Sequence, residues 1–237
     1  MWFFHGNLQT PAAWNGIADE LNTAFPNVDC RTPDWTITDS QTLQDAARSF
    51  CSSVRESNHY TINVVVGYSM GGRFAFHLLL EDPTLWTSAI IASADPGTEV
   101  ESERQSILQR DMKWAAELRS GDLGNIVEAW DSLPVFGDRP NAAPRELADL
   151  DAERLAESMV RFSKGKQESL WSMLAELKTP TTFVSGSEDK RYSAIGTRLA
   201  STSEAISHHN IRGAGHRVPW EAQAEFVDLV RHAIAQQ

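Results

Sequence analysis

Cysteine is scarce in this chain, and its scarcity excludes two kinds of protein. Cys30 and Cys51 are the only cysteines among the 237 residues. Two cysteines cannot build the disulfide framework of a small secreted domain, and their spacing fits no zinc motif. We therefore expect two reduced thiols without a special role.

Positive charge and long apolar runs are also in short supply. The chain has 21 Lys and Arg residues against 32 Asp and Glu residues, a formal net charge of −11. Such a charge repels nucleic acids and anionic membranes, and a small acidic substrate would need a local cluster of Arg or Lys. Residues 1–4 are too short an apolar run for a signal peptide, and no stretch is long enough to span a bilayer. These features predict a cytoplasmic protein that binds neither nucleic acid nor membrane.

What the chain does contain is an alternation of strand-like and helical segments. Runs at 62–66 and 88–92 are continuously apolar, which is typical of strands buried on both faces of a parallel sheet. Further strand-like runs lie at 2–4, around 28–30, and at 181–185 and 205–211. Helical patterns lie at 12–24, 40–54, 71–80, 193–200 and 220–235. The alternation predicts an open α/β fold with a mostly parallel sheet of about six strands.

One long segment breaks this alternation. From about residue 99 to 177 only helical periodicity is found, with breaks at glycines and prolines. We predict that residues 1–97 and 178–237 form the α/β core, and that residues 98–177 form a helical cap inserted before the penultimate strand. Such a cap would cover the strand ends, where open α/β sheets bind their ligands.

The strongest chemical signal is the sequence GYSMG at positions 67–71. It matches the G-x-S-x-G nucleophile elbow, and it directly follows a predicted strand and precedes a predicted helix. In that setting the serine occupies a strained turn, and the glycines let the strand and the helix approach closely. The motif therefore predicts Ser69 as the reactive group of an α/β-hydrolase fold.

His216 is the predicted base. It lies on the loop between the last strand and the last helix, downstream of Ser69 as the order of a Ser-acid-His triad on this fold requires. The other histidines are better explained as packed or solvated side chains. They are His5, His59, His77, His208, His209 and His232.

Asp189 is the predicted acid. It lies in the turn after the penultimate strand, where its carboxylate could accept the Nδ1–H of His216. Its neighbour Glu188 would point elsewhere on the turn. Asp95, which follows the strand at 88–93, remains a rival at an earlier position.

Two further features surround Ser69 in the sequence. The oxyanion hole needs two backbone N–H groups, which we assign to Met70 and to Asn7 in the loop after the first strand. Arg73 lies one helical turn after Ser69. Its guanidinium could hold an anionic substrate group, or it could form an ordinary ion pair on the helix.

These residues resemble the MenH family of 2-succinyl-6-hydroxy-2,4-cyclohexadiene-1-carboxylate synthases. The sequence GYSMGGR at 67–73 is similar to the nucleophile elbow of that family. The similarity extends over nearly the whole chain. It continues at His5-Gly6 with Trp14, at Arg104, Asp111 and Trp114-Ala115, at Trp130 with Pro134-Val135-Phe136, at Gly165-Lys166-Gln167 with Ser169-Leu170-Trp171, at Gly186 to Tyr192, and at Gly215-His216 with Glu221.

The resemblance implies a lyase that abstracts a proton and eliminates pyruvate, without a cofactor or a metal. It implies that Ser69, made basic by His216, takes the proton. It also implies that arginines hold the substrate carboxylates while aromatic side chains line the pocket. The residues assigned to these two roles are Arg73, Arg104, Arg161, Tyr68 and Trp130.

The chain departs from the family pattern at several places. Ile107 stands where a second cap arginine is expected, and Arg110 could substitute for it. Asn7 replaces an aromatic residue, and PDW at 33–35 replaces a Gly-His-Gly loop. The N-terminal hairpin that commonly precedes the first loop is missing, which predicts a smaller sheet.

Two other functions remain open at this stage. A carboxylic-ester or thioester hydrolase would use the same three residues, with Ser69 as the nucleophile. A non-catalytic binding module is less well supported, because all three triad candidates stand at productive positions. We expect a small anionic or ester substrate and a monomer or weak homo-oligomer.

Overall fold

A parallel β-sheet forms the centre of the molecule. The computed structural model describes residues 1–57 and 61–235, and within them the sheet has five strands in the order β1-β2-β3-β4-β5. Every neighbouring pair is parallel. The strands are β1 Trp2–Phe4, β2 Val64–Tyr68, β3 Ser88–Ala92, β4 Thr181–Gly186 and β5 Ile206–Ile211. Because all strands run the same way, their carboxyl ends meet at one edge of the sheet.

The prediction of a strand around residues 28–30 is wrong, so the sheet has five strands rather than about six. Only Arg31 pairs with the sheet, as an isolated parallel bridge to Trp2. Its N–H donates to Met1 O, and its carbonyl accepts the Phe3 N–H, each at 2.9 Å. The Cys30 N–H instead donates to the side chain of Asn22, at 3.2 Å. The Asp29 carbonyl accepts from the Met1 ammonium at 2.6 Å, but because the Cys30 N–H is taken by a side chain, no ladder forms over residues 28–30.

Helices lie on both faces of the sheet and between β3 and β4. They are α1 Asn15–Ala24, α2 Leu43–Ser57, α3 Met70–Glu81, α4 Glu101–Ser120, α5 Leu123–Asp131, α6 Ala152–Arg161, α7 Trp171–Ala175, α8 Lys190–Thr202, α9 Val218–Glu221 and α10 Gln223–Ala235. Short 3₁₀ turns lie at Pro11–Trp14, Pro134–Phe136, Leu147–Asp149 and Lys164–Lys166.

The core consists of two apolar layers separated by the sheet. Adjacent strand residues point to opposite faces, so that Phe4 and Val65 belong to one layer while Phe3 and Val66 belong to the other. Helices α2, α3 and α8 contribute to the first layer, and α1 and α10 to the second. All residues of β2 and β3 are buried, as their continuous apolar runs predict.

The segment between β3 and β4 contains helices and 3₁₀ turns but no strand. Helix α4 packs against α6, and a third apolar cluster between them includes Leu118, Ile126 and Met159. Two of these helices begin at an aspartate that accepts a backbone N–H: Asp122 from Asn125 at 2.9 Å, and Asp151 from Arg154 at 3.1 Å. That residues 98–177 form a separate cap stays a prediction.

Within residues 1–57 and 61–235, no helix has both the length and the apolar character that crossing a membrane requires.

Candidate active site

Ser69 occupies the sharp turn between β2 and α3. Its φ of 52° and ψ of −110° lie outside the regions that residues with a side chain usually adopt. The Ser69 N–H donates to Ala92 O at 2.9 Å, and Ser69 O accepts the Arg73 N–H at 3.0 Å. At Gly71 an added Cβ would lie 2.1 Å from Phe4 O. Glycine is therefore required there, because the start of α3 touches the backbone of β1.

His216 and Asp189 meet at the same edge of the sheet. Their side chains are almost completely buried, and His216 Nδ1 lies 2.7 Å from Asp189 Oδ2. The other carboxylate oxygen, Oδ1, accepts the Tyr192 N–H at 3.2 Å at the start of α8. A carboxylate can only accept, so the proton of the pair lies on Nδ1 and the Nε2 lone pair of a neutral imidazole remains available.

Ser69, His216 and Asp189 line one cavity of about 780 Å³. In the part of the chain that the structure describes, no hydrogen bond joins Ser69 to His216. The serine hydroxyl turns freely about its Cα–Cβ and Cβ–O bonds, and such contacts often tighten only when a substrate is bound. The structure therefore pairs His216 with Asp189 and places Ser69 on the same cavity, while a triad of the three stays a prediction.

The rival acids have other partners. Asp95 Oδ2 lies 2.6 Å from Lys164 Nζ and 3.0 Å from Arg191 Nη2. Burial raises the pKa of Asp95, but Lys164, the hydrogen bond from the Gly97 N–H and Arg191 together lower it by more, so that the pKa lies below its ordinary value. Glu188 lines the cavity but accepts only from Ser187 Oγ, at 3.3 Å, among the described side chains. Asp189 is thus the carboxylate that His216 contacts.

Among the described histidines, only His216 lines the cavity that Ser69 lines. His208 Nε2 lies 2.8 Å from Ser185 Oγ, and His209 Nε2 lies 2.9 Å from Glu225 Oε1. The remaining ones lie in the loop after β1 (His5), on α3 (His77) and on α10 (His232). His59 falls outside the described residues.

Both predicted oxyanion donors border the cavity. Met70 and Asn7 are among its lining residues, and Met70 is the first residue of α3, whose N–H has no acceptor within the helix. His5 lies beside them, where its Nδ1–H donates to Gly6 O at 3.0 Å and its ring stands 3.9 Å from Asp34. These contacts fit a residue that braces the loop.

Arg73 is buried, lines the cavity and forms no ion pair with a carboxylate of the described residues. Its Nη1 donates to Gln167 Oε1 at 3.0 Å and its Nη2 to Phe162 O at 2.7 Å. Burial lowers the pKa of Arg73, because a desolvated cation is disfavoured. Of the two alternatives for this residue, an ordinary ion pair on the helix is therefore wrong. A positive charge in this position can attract an anion into the cavity.

The other predicted substrate contacts divide into two groups. Trp130 lines the cavity, with its ring edge-on to Trp114 at 5.4 Å. Tyr68, Arg104 and Arg161 are not among the lining residues. The Tyr68 ring packs edge-on against Trp220 at 4.9 Å.

The two arginines outside the cavity are engaged elsewhere. Arg104 pairs with Glu101 one turn before it on α4. Arg161 donates to the carbonyls of Thr36 and Thr38, in the loop before α2. That these side chains reach the substrate stays a prediction, and in this structure each guanidinium has acceptors elsewhere: Arg104 on its own helix, and Arg161 in the loop before α2.

Sequence reasoning gave no role at the site to several residues that line the cavity. Lys164 and Arg191 line the cavity around Asp95, and Tyr192 lies 4.6 Å from the His216 ring, centroid to centroid. Arg110, weighed above as a substitute for the missing cap arginine, lines it too. The position of Arg191 two residues after Asp189 is a signal that could have been used. Nothing in the sequence around Lys164 indicates that it reaches across to Asp95.

Comparison with known proteins identifies relatives over most of the chain. A family model described as the alpha/beta hydrolase family matches residues 3–229. The 2-succinyl-6-hydroxy-2,4-cyclohexadiene-1-carboxylate synthase of Photorhabdus laumondii is 26% identical over 176 residues, which are 72% of this chain and 62% of that protein. The synthase of the same name from Enterobacter sp. strain 638 is 26% identical over 230 residues, which are 94% of this chain and 86% of that protein.

A solved structure agrees with the fold. MenH from S. aureus gives a TM-score of 0.84 at 18% identity, covering 99% of this chain and 92% of that chain. At this identity the likeness shows the fold alone. The chain spans 63%, 62% and 65% of the first three curated relatives that it matches. The predicted α/β-hydrolase fold and the resemblance to MenH proteins are both confirmed.

Proposed function

The chain belongs to the alpha/beta hydrolase family, and from that premise we propose that it is a lyase of the MenH type. In this proposal it eliminates pyruvate from a succinyl-cyclohexene carboxylate, a step of menaquinone biosynthesis. The observation that carries the proposal is the 2.7 Å contact between His216 and Asp189, which line the same cavity as Ser69 and the buried Arg73. The curated relatives bear the name of this activity.

Proton abstraction begins at Ser69. As its oxygen takes the proton α to a substrate carbonyl or carboxylate, its own hydroxyl proton passes to Nε2 of His216. Asp189 keeps Nδ1 protonated and stabilises the imidazolium that forms. The electron pair of the broken C–H bond becomes the new ring C=C bond as the C–O bond to the pyruvyl group breaks. The proton then leaves with pyruvate, which restores the neutral imidazole.

The negative charge that develops during abstraction needs donors that are already in place. Met70 and Asn7 line the same cavity as Ser69, and we assign this role to their N–H groups. Met70 also lies at the start of α3, where the helix dipole adds positive potential. Donors held rigidly by the backbone cost little reorganisation when the charge appears, which is the basis of oxyanion stabilisation.

A substrate with several carboxylates would meet cations on the cavity wall. Six Lys and Arg residues line the cavity. Two of them are Lys190 and Arg139, which is paired with Glu221. The other four are Arg73, the nearest in sequence to Ser69, with Lys164, Arg191 and Arg110. Burial lowers the pKa of Lys164, while Asp95 opposes that shift. We assign to these side chains the carboxylate contact that Ile107, a buried apolar residue of α4, cannot make.

A hydrolase would need the same three side chains, so one experiment must separate the two chemistries. Purified protein is given the succinyl-cyclohexene substrate, and formation of the diene is followed by its absorbance. A chromogenic short-chain ester is assayed in parallel. We expect diene formation that exceeds ester cleavage by orders of magnitude, and loss of the diene signal in Ser69→Ala. Rapid ester cleavage without diene would replace the lyase with a hydrolase, and a fully active Ser69→Ala would remove the serine from the mechanism.

A further inference from the structure

The loop that carries His216 is held by one carboxylate. Glu221, on α9, accepts the Gly215 N–H at Oε2 at 2.7 Å and the Arg217 N–H at Oε1 at 3.0 Å. These two amides flank His216 directly. The Glu221 side chain is only 7% exposed, so both hydrogen bonds are shielded from water. The position of this carboxylate therefore fixes the backbone on either side of the imidazole.

Glu221 is in turn held from the helical segment between β3 and β4. Arg139, which follows the turn Pro134–Phe136, donates Nη1 to Glu221 Oε2 at 2.9 Å. Its Nη2 donates to Gly213 O at 2.7 Å. One planar guanidinium thus joins Gly213, near the start of the loop, to the carboxylate that holds the backbone on both sides of His216. Gly213 has a φ of 77°, and the loop around it is rich in small residues, so its own sequence does little to stiffen it.

A second set of contacts connects the same two regions. Arg217 donates to Asp131 at the end of α5, and Arg145 donates to the other carboxylate oxygen of Asp131. The Arg217 guanidinium also lies 3.6 Å from the centre of the Phe136 ring. The Phe136 ring in turn meets His216 edge-on at 5.6 Å. The histidine loop is therefore in contact with the helical segment at several points around His216.

We propose that Arg139 is a positioning residue, which acts through Glu221 to hold the imidazole of His216 in line with Ser69. The inference rests on the proposed function only for the role of His216. If Arg139 has this positioning role, the packing of residues 131–145 on the core is coupled to the reactivity of Ser69. Displacement of that segment moves the imidazole, and a displacement of about 1 Å in a catalytic group can cost as much as roughly a hundredfold in rate.

The test compares Arg139→Met with a matched control, Arg119→Met. Arg119 forms an ion pair of the same kind with Glu153, at 2.8 Å on the outer side of the helical segment, and does not line the cavity. Two quantities are measured in each protein. The first is hydrogen–deuterium exchange of the peptide covering residues 212–221. The second is the rate at which a fluorophosphonate probe modifies Ser69, a reaction that needs the Ser-His pair but no knowledge of the substrate.

We expect Arg139→Met to raise exchange at residues 212–221 and to slow modification of Ser69 by about tenfold or more, with the Tm close to that of Arg119→Met. Arg139→Lys should recover part of the rate, because an ammonium group can reach Glu221 but cannot also hold Gly213 O. Arg119→Met should leave both quantities unchanged.

Two results would overturn the positioning role. One is unchanged exchange at residues 212–221 in Arg139→Met, and the other is faster exchange with an unchanged rate of Ser69 modification. If Arg139→Met does not fold, Glu221→Gln replaces it, since it removes the charge that Arg139 pairs with and retains one acceptor oxygen. Absence of lyase turnover in the unmodified protein would refute the proposed function while leaving both measurements interpretable.

Discussion

At the scale of single residues, Ser69 shows how the packing of its neighbours holds a side chain in an unfavourable conformation. A serine at φ 52° costs of order 1–3 kcal/mol of backbone strain. The turn persists because Gly71 lies against the backbone of β1 and because the Ser69 N–H and C=O are both hydrogen-bonded. The strained turn lies at the start of α3 and makes Ser69 a lining residue of the cavity that His216 also lines.

Asp189 offers a test of which carboxylate serves His216. Asp189→Asn keeps the shape of the side chain but presents an amide to His216 Nδ1, which favours the wrong tautomer. We expect kcat to fall by about 10³–10⁴-fold. Glu188→Gln, one residue earlier on the same turn, should change kcat by less than roughly threefold. Steady-state turnover of the two variants checks this, and equal losses in both would mean that the acid is misassigned.

At the scale of elements, the sequence predicts best where one physical cause dominates. The buried strands β2 and β3 were predictable because every residue of each is shielded on both faces. The elbow was predictable because the G-x-S-x-G pattern directly follows a strand and directly precedes a helix. The candidate strand around residues 28–30 was not, because its outcome depends on the competing side chain of Asn22.

Side-chain direction in the helical segment is the part that the sequence could not supply. Arg104 and Arg161 have the residue type that an anionic substrate requires, yet each turns toward acceptors near its own helix or a neighbouring loop. Lys164 carries no motif, yet it reaches a cavity carboxylate that lies 69 residues earlier in the chain. Tertiary contacts decide which cations face the cavity. Helical periodicity in the sequence carries no information about those contacts.

The contact between α3 and β1 leads to a prediction about two glycines. Gly71→Ala would place a Cβ 2.1 Å from Phe4 O, so the helix and the strand must separate. We expect a loss of roughly 3 kcal/mol in the free energy of unfolding. Gly16→Ala is the matched control, because Gly16 lies within α1 and its added Cβ meets nothing within 4 Å. It should gain roughly 0.5–1 kcal/mol. Urea titrations of both variants measure these changes, and two shifts of the same sign would contradict the packing argument.

At the scale of the whole molecule, charge is distributed unevenly. The chain carries a net charge of −11, yet acidic and basic side chains line the cavity in nearly equal number. Cations on the cavity wall attract a carboxylate over short distances. The low dielectric of the cavity strengthens this attraction. The negative surface acts at longer range and is screened by salt. An anionic substrate such as the one we propose would therefore be selected by the cavity wall rather than by the overall field.

The stability of the whole molecule should also depend on one histidine outside the cavity. His77 lies on α3, its Nε2 is buried, and within the described residues that atom has no hydrogen-bond partner. Burial, with a smaller effect from Arg73, lowers the pKa of His77 from 6.5 to about 4. Between these two values the unfolded chain binds a proton at this position and the folded protein does not. The free energy of unfolding must then fall as the pH falls from 6.5 to 4.

This single group can account for a loss of up to about 3 kcal/mol across that range. Carboxylates with lowered pKa values, such as Asp95, also lose their contribution to stability on acidification, but only as the pH falls through their own lower pKa values. The difference between the unmodified protein and His77→Gln cancels those carboxylate effects, because both proteins retain them. We expect that difference, measured by urea unfolding at a series of pH values, to be constant above pH 6.5 and to shift in favour of the variant toward pH 4. A difference that stays flat over the whole series would mean that His77 is protonated as readily in the folded protein as in the unfolded chain.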